Sequence, residues 1–177
     1  TAFTASTIDG GDLTVIHDLL EVGKTRVAGA IQTLDSIDTI TNSGTITGSI
    51  DLDSGDDLLI NSGTIDGDVE MGLGDDGVGL ATGTSVTGVI DGGEGTDAME
   101  LAGTSATLSS AQTVAASRNF EELLVSSGYW TASAGSSEFG LVGIAAGATL
   151  DVHEVAVGGS PSSASWAVHS GPRNRAR

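Results

Sequence analysis

The residues best able to do chemistry in this chain are carboxylates carried on glycine turns. Gly92-Gly93-Glu94-Gly95-Thr96-Asp97 is the clearest such turn. Met71-Gly72-Leu73-Gly74-Asp75-Asp76 and Leu52-Asp53-Ser54-Gly55-Asp56-Asp57 are looser versions upstream. Calcium is a hard cation that takes about six to eight oxygen ligands. Glycine lets a backbone turn its carbonyls toward an ion, and Asp adds charge. Asp53, Asp57, Asp76, Gly93, Gly95 and Asp97 are therefore candidate metal ligands, with calcium as the candidate ion. The competing reading is that Gly-Asp sequences are good turn formers that stay hydrated with no ion at all.

The turns belong to a repeat. Asn42-Ser43-Gly44-Thr45-Ile46 recurs as Asn61-Ser62-Gly63-Thr64-Ile65. Val27, Ile46, Ile65 and Val86 form one series; Ile31, Ile50, Val69 and Ile90 a second; Ile40, Leu59, Val78 and Met99 a third; Asp38, Asp57, Asp76 and Asp97 a fourth. All four advance by the same steps of 19, 19 and 21 residues. A period of that length without helical apolar spacing is one coil of a β-solenoid. Between the turns, apolar and small polar residues alternate, as in Thr45-Ile46-Thr47-Gly48-Ser49-Ile50, which places Ile46 and Ile50 inward. Stacked coils turn each series into a ladder, and the aliphatic ladders become the core. The expected fold is all-β, a right-handed parallel β-helix with coils of about 19–21 residues. A helical reading of 27–101 fails because glycine recurs too often, at about 1 kcal/mol each relative to Ala.

The coarse organisation follows. Residues 1–26 are a degenerate N-terminal coil and 27–107 hold the regular repeats. Residues 108–157 are closing coils, in which Ala111 to Leu124 break the period and fit a short helix or an irregular coil. Residues 158–177 carry both prolines and three of the six basic residues, and read as a disordered or non-native tail. Trp130 and Tyr129 are expected to pack the closing coils. Asn42 and Asn61 are expected to stack and hydrogen-bond side chain to side chain.

Composition narrows the function classes. The net charge is -18, and residues 28–117 contain no Lys or Arg. A nucleic-acid partner needs a basic face and is not expected. There is no Cys, hence no disulfide framework or thiolate metal site. No G-x-S-x-G occurs, and His17, His153 and His169 lie outside the regular coils. One enzymatic alternative survives. Stacking would set Asp57, Asp76 and Asp97 near one another, and retaining glycosidases hold two carboxyls about 5 Å apart. A carbohydrate-active enzyme, a polysaccharide-cleaving hydrolase with these aspartates as catalytic candidates, is the alternative to a structural or adhesive module. Ice or mineral binding by a threonine row is disfavoured, because Ser85 interrupts the row of Thr45 and Thr64.

Two resemblances bear on this. Residues 92–100 match the GGxGxDxUx nonapeptide of RTX-type calcium-binding β-rolls at each fixed position, although here one copy falls in each coil rather than in tandem. The NSGTI repeats followed by GDD turns at 42–57 and 61–76 resemble the passenger-domain repeats of autotransporters. Asn119-Phe120-Glu121-Glu122-Leu123-Leu124-Val125 with Gly128-Tyr129-Trp130, and Gly147-Ala148-Thr149-Leu150-Asp151-Val152, are similar to the segments that close such passengers. Together these cover residues 27–157. The resemblance implies secretion or display at the outer-membrane cell surface, with a host or extracellular glycan or protein surface as partner. It implies membrane attachment only through a translocator barrel, and no series of barrel strands follows residue 157. Exposed coil ends also allow a homodimer.

Overall fold

Period-two alternation decides the architecture. In Thr39–Asn42, Leu58–Asn61, Gly77–Ala81 and Ala98–Ala102, every second side chain is buried and the intervening ones face out. A strand with one apolar face cannot bury it alone, so each coil is stabilised by its neighbours. The computed structural model describes residues 31–33, 37–104, 112–113, 115–132 and 139–151 with their side chains. It also describes the backbone of strands Ala2–Ala5, Leu13–Thr14, Leu19–Val22, Arg26–Ala28, Thr149–His153 and Ser165–His169.

Among the described residues the chain is all-β, with parallel sheets stacked as a β-solenoid. The first sheet has eight strands: Ala2–Ala5, Leu19–Val22, Thr39–Asn42, Leu58–Asn61, Gly77–Ala81, Ala98–Ala102, Glu122–Ser127 and Leu141–Ile144. The second contains Arg26–Ala28, Thr45–Thr47, Thr64–Asp66 and Ser85–Val86. The third runs from Leu13–Thr14 through Ile31–Gln32, Ile50–Asp51, Val69–Glu70 and Ile90–Asp91 to Ser117–Arg118. A fourth sheet holds Gln112–Thr113, Tyr129–Ala132, Thr149–His153 and Ser165–His169.

The register is the one the repeat demands. Ile46 pairs with Ile65 and Ile65 with Val86; Ile50 pairs with Val69 and Val69 with Ile90; Leu59 pairs with Val78 and Val78 with Met99. These ladders, with Leu52, Met71, Leu80 and Leu101, make an aliphatic core that is essentially without solvent contact apart from the half-buried Val86.

The irregular stretch is strand rather than helix where it is described. Gln112–Thr113, Ser117–Arg118 and Glu122–Ser127 all pair in parallel with other coils. The step from Met99 to its partner Leu123 lengthens, and Ser126 is left over between the pairs Leu101–Val125 and Ala102–Ser127. Phe120, Leu123 and Val125 need the core, and a strand with one bulged residue buries all three. Trp130 is fully buried in the closing coils, with its indole N–H donating to the Ser127 carbonyl at 2.9 Å. The expected tail contributes the strand Ser165–His169, which runs antiparallel to Thr149–His153; the remainder of residues 158–177 lies outside the described residues.

Candidate functional site

The acidic turns gather on one corner of the solenoid, between the third sheet and the first. Here one aspartate of each turn faces inward, while Asp53, Asp56 and Asp75 are exposed. Asp38, Asp57, Asp76 and Asp97 are each no more than 2% exposed. They sit two residues before the buried Ile40, Leu59, Val78 and Met99, so strand parity carries them to the core side. The last three aspartates reach back one coil. The Asp57 carboxyl accepts from the Asp38 amide at 2.7 Å, Asp76 from the Asp57 amide at 2.7 Å, and Asp97 from the Asp76 amide at 2.9 Å. Glu121 continues the row, accepting from the Asp97 amide at 2.8 Å.

One oxygen of each carboxyl is thereby used. The other, Oδ2 of Asp57, Asp76 and Asp97, is buried without a partner. A carboxylate in that position is poorly solvated. Burial pushes Asp57 up to about 7 and Asp97 up to about 6, and raises Asp76 in the same direction. The donated amides pull down, and neighbouring carboxylates push further up: Asp76, Asp38 and Asp56 on Asp57, and Asp76, Glu121 and Asp75 on Asp97.

The glycines have their own explanation. Gly74 and Gly95 have φ of 141° and 147°, and a Cβ on either would fall 1.8 Å from a carbonyl oxygen of the coil behind, Gly55 or Gly74 respectively. Gly72 and Gly93 meet the same obstacle at 1.9 Å. The turn backbone is stitched coil to coil as well. Leu73 donates to the Asp53 carbonyl and Glu94 to the Gly72 carbonyl, while Gly55 and Gly74 donate to the carbonyls of Leu73 and Glu94. Asp53 stands where the later turns have Gly72 and Gly93, and it adopts φ of 64°.

The residues singled out for calcium are therefore brought to one corner, but not around one point. Among the described residues no group of three or more acidic or histidine side chains is placed to hold an ion. One oxygen each of Asp57, Asp76 and Asp97 is engaged by an amide and the other is buried, Asp53 is exposed, and the carbonyls of Asp53 and Gly72 serve the ladder. The same burial keeps Asp57, Asp76 and Asp97 out of reach of a polymeric substrate.

A second buried polar ladder lies on the adjoining sheet. Asn42 donates from Nδ2 to Asn61 Oδ1 at 2.8 Å and to the Thr64 carbonyl at 3.1 Å. Each Asn oxygen also accepts from an amide two residues on, Gly44 or Gly63. The row stops at Leu80, which occupies the next rung, and Asn61 Nδ2 is left buried without a partner. Replacing Asn61 by Ala strips acceptors from Asn42 and Gly63. Chemical denaturation should show a loss of about 2–4 kcal/mol, and a loss below about 0.5 kcal/mol would count against the ladder.

Sequence reasoning missed the outward face of the first sheet. Gly77, Gly79, Ala81, Ala98 and Ala102 form the floor of a groove of about 660 Å³ there, beside Leu58, Ile60 and Leu124. The signal was present in Gly77-Val78-Gly79-Leu80-Ala81, where every outward position is small.

No family model, no curated protein and no solved structure matches this chain.

Proposed function

We propose that the chain is a structural and adhesive module of an exported bacterial surface protein, of the autotransporter-passenger kind, wound with the right-handed sense that parallel crossovers nearly always take. One observation carries this reading. The buried polar side chains, an aspartate in each regular coil and the Asn42–Asn61 pair, are committed to holding one coil on the next. Such residues build a rod and leave its lateral faces to meet partners. A host or extracellular surface is the partner class, and display would come through a translocator barrel. The inward placement of Asp57, Asp76 and Asp97 favours this over the glycosidase alternative.

The purified chain should bind saturably to at least one surface in a panel of extracellular-matrix proteins, glycans and whole cells. Binding to none of them removes the adhesive role. Calcium is tested separately. Adding millimolar calcium to chelator-treated protein should shift the melting temperature by less than about 2 °C, because stabilisation by a ligand requires a site that binds it. A rise of about 10 °C or more would restore an ion to the turns.

A further inference from the structure

The groove on the first sheet is the feature that the ladders leave unexplained. Glycine inside a strand weakens it and, where no bulge occurs, marks close approach of a ligand or another chain. Gly77–Ala81 has no bulge: its register to Leu58–Asn61 and to Ala98–Ala102 is continuous. Nor does Gly79 answer to crowding within the fold. A Cβ there would meet nothing closer than the Leu59 carbonyl at 3.9 Å. Its strand carries two outward glycines: a Cβ on Gly77 would press on the movable end of Leu58 at 3.2 Å, whereas Gly79 is crowded by nothing in the coils beside it.

The walls are apolar and exposed. Leu58 and Ile60 line one side, with Leu124 and Leu141 on the other, all between 38% and 59% accessible. The trough runs along two strands of five residues each, about 17 Å at some 3.4 Å per residue. Its width, from the Leu58 row to the Glu122 row, is three coil steps, about 14 Å. That is room for one extended segment lying parallel to the strands.

Charge selects the occupant. Glu100 and Glu122 line the groove, both exposed. Among the described residues neither is ion-paired, and Arg118 is held by Asp91 at 2.6 Å. No Lys or Arg occurs between residues 28 and 117. A second copy of this chain would bring the same acids, Glu100 on the floor between Gly79 and Leu124 and Glu122 beside Ala98, against itself. The lining has no aromatic ring for a sugar to stack on.

We propose that the groove floored by Gly77, Gly79, Ala81, Ala98 and Ala102 binds an extended basic peptide segment. Its aliphatic side chains lie between the Leu58–Ile60 and Leu124–Leu141 walls, and its Lys or Arg groups meet Glu100 and Glu122. The inference rests on the adhesive reading above and names the partner class for it.

The test is fluorescence anisotropy with a labelled short peptide alternating leucine and arginine, titrated with the full chain. Two control peptides replace leucine by serine and arginine by glutamate. The leucine–arginine peptide should bind saturably, at least about tenfold tighter than either control. Gly79→Val fills the trough with a good strand former and should weaken binding at least about tenfold while melting no lower than the parent. The exposed pair Glu100→Gln with Glu122→Gln, which leaves the core untouched, should weaken it comparably and reduce its salt dependence. Equal binding by the serine–arginine peptide would show attraction to the acidic chain as a whole and overturn the proposal. Undiminished binding to the double Gln variant would overturn it too. A chain that adheres in the surface panel yet ignores this peptide keeps the adhesive role and loses the groove.

Discussion

Replacing Gly74 by Ala should unfold the regular coils at ordinary temperature, or cost more than about 4 kcal/mol where folding survives. Two effects combine. The position has φ of 141°, a conformation that side-chain-bearing residues rarely adopt, which alone costs about 1–3 kcal/mol. The new methyl would also lie 1.8 Å from the Gly55 carbonyl oxygen, and backbone on backbone has no rotamer by which to escape. Moving the turn outward breaks the bonds that Leu73 and Gly74 make to neighbouring coils. With a whole-domain stability of about 5–15 kcal/mol, a loss of this size is most of what holds the fold. Gly83→Ala is the control. It too has positive φ, 88°, but nothing lies within 4 Å of its would-be methyl, so only the conformational cost of about 1 kcal/mol applies. Thermal melts of both variants by circular dichroism decide the matter. Equal losses at the two positions would mean that coil stacking does not dictate the turn glycines.

The aspartate ladder gives the second large effect, in the form of an inverted pH dependence. Ordinary paired carboxylates stabilise a fold as pH rises. Here the folded carboxyls hold their protons more tightly than the unfolded chain, where an aspartate titrates at about 4. Between that value and about 7 for Asp57, or about 6 for Asp97, the folded state carries more protons. Stability therefore falls as pH climbs through this window and stays low above it. The melting temperature should be higher at about pH 5 than at about pH 8. Asp57→Asn keeps the oxygen that accepts from the Asp38 amide and removes the charge. At about pH 8 it should melt at least about 3 °C above the parent, the shift that roughly 1 kcal/mol produces in a chain of this size. At about pH 5 the advantage should vanish, because the parent is then neutral at this site and the amide of the Asn has no acceptor. Repulsion among the surface acids also eases on acidification, so the informative quantity is the difference between variant and parent. A difference that does not change with pH would place the charged carboxylate comfortably in the fold.

Much of this architecture was legible in the residues. The aliphatic series at steps of 19, 19 and 21 gave the ladders and their register, because stacked coils leave only one way to superpose Ile46, Ile65 and Val86. The asparagine pair was legible for the same reason. The orientation of the aspartates was not read, since a Gly-Asp turn looks like a hydrated loop when taken alone. The signal lay in parity: Asp57, Leu59 and Asn61 are two residues apart, and a strand that buries the second and third buries the first as well. The glycines looked like ligand-shaping residues, and only the coil behind them reveals the collision that excludes a side chain. The strand Glu122–Ser127 escaped because its bulged Ser126 shifts the phase, and a period search sees a broken repeat where the sheet sees one extra residue.

The backward reach of the acidic residues gives the rod a sense of direction. Asp57, Asp76, Asp97 and Glu121 each supply an acceptor to the coil that precedes them in the chain, whereas the outer Asp56 and Asp75 accept from the coil that follows. Within this buried row, each winding is finished by its successor. A chain emerging amino-end first would hold an incomplete last winding until the next arrived. Trimming from the carboxyl end would remove the acceptor of one buried amide of this row per coil, that of Asp97, then Asp76, then Asp57.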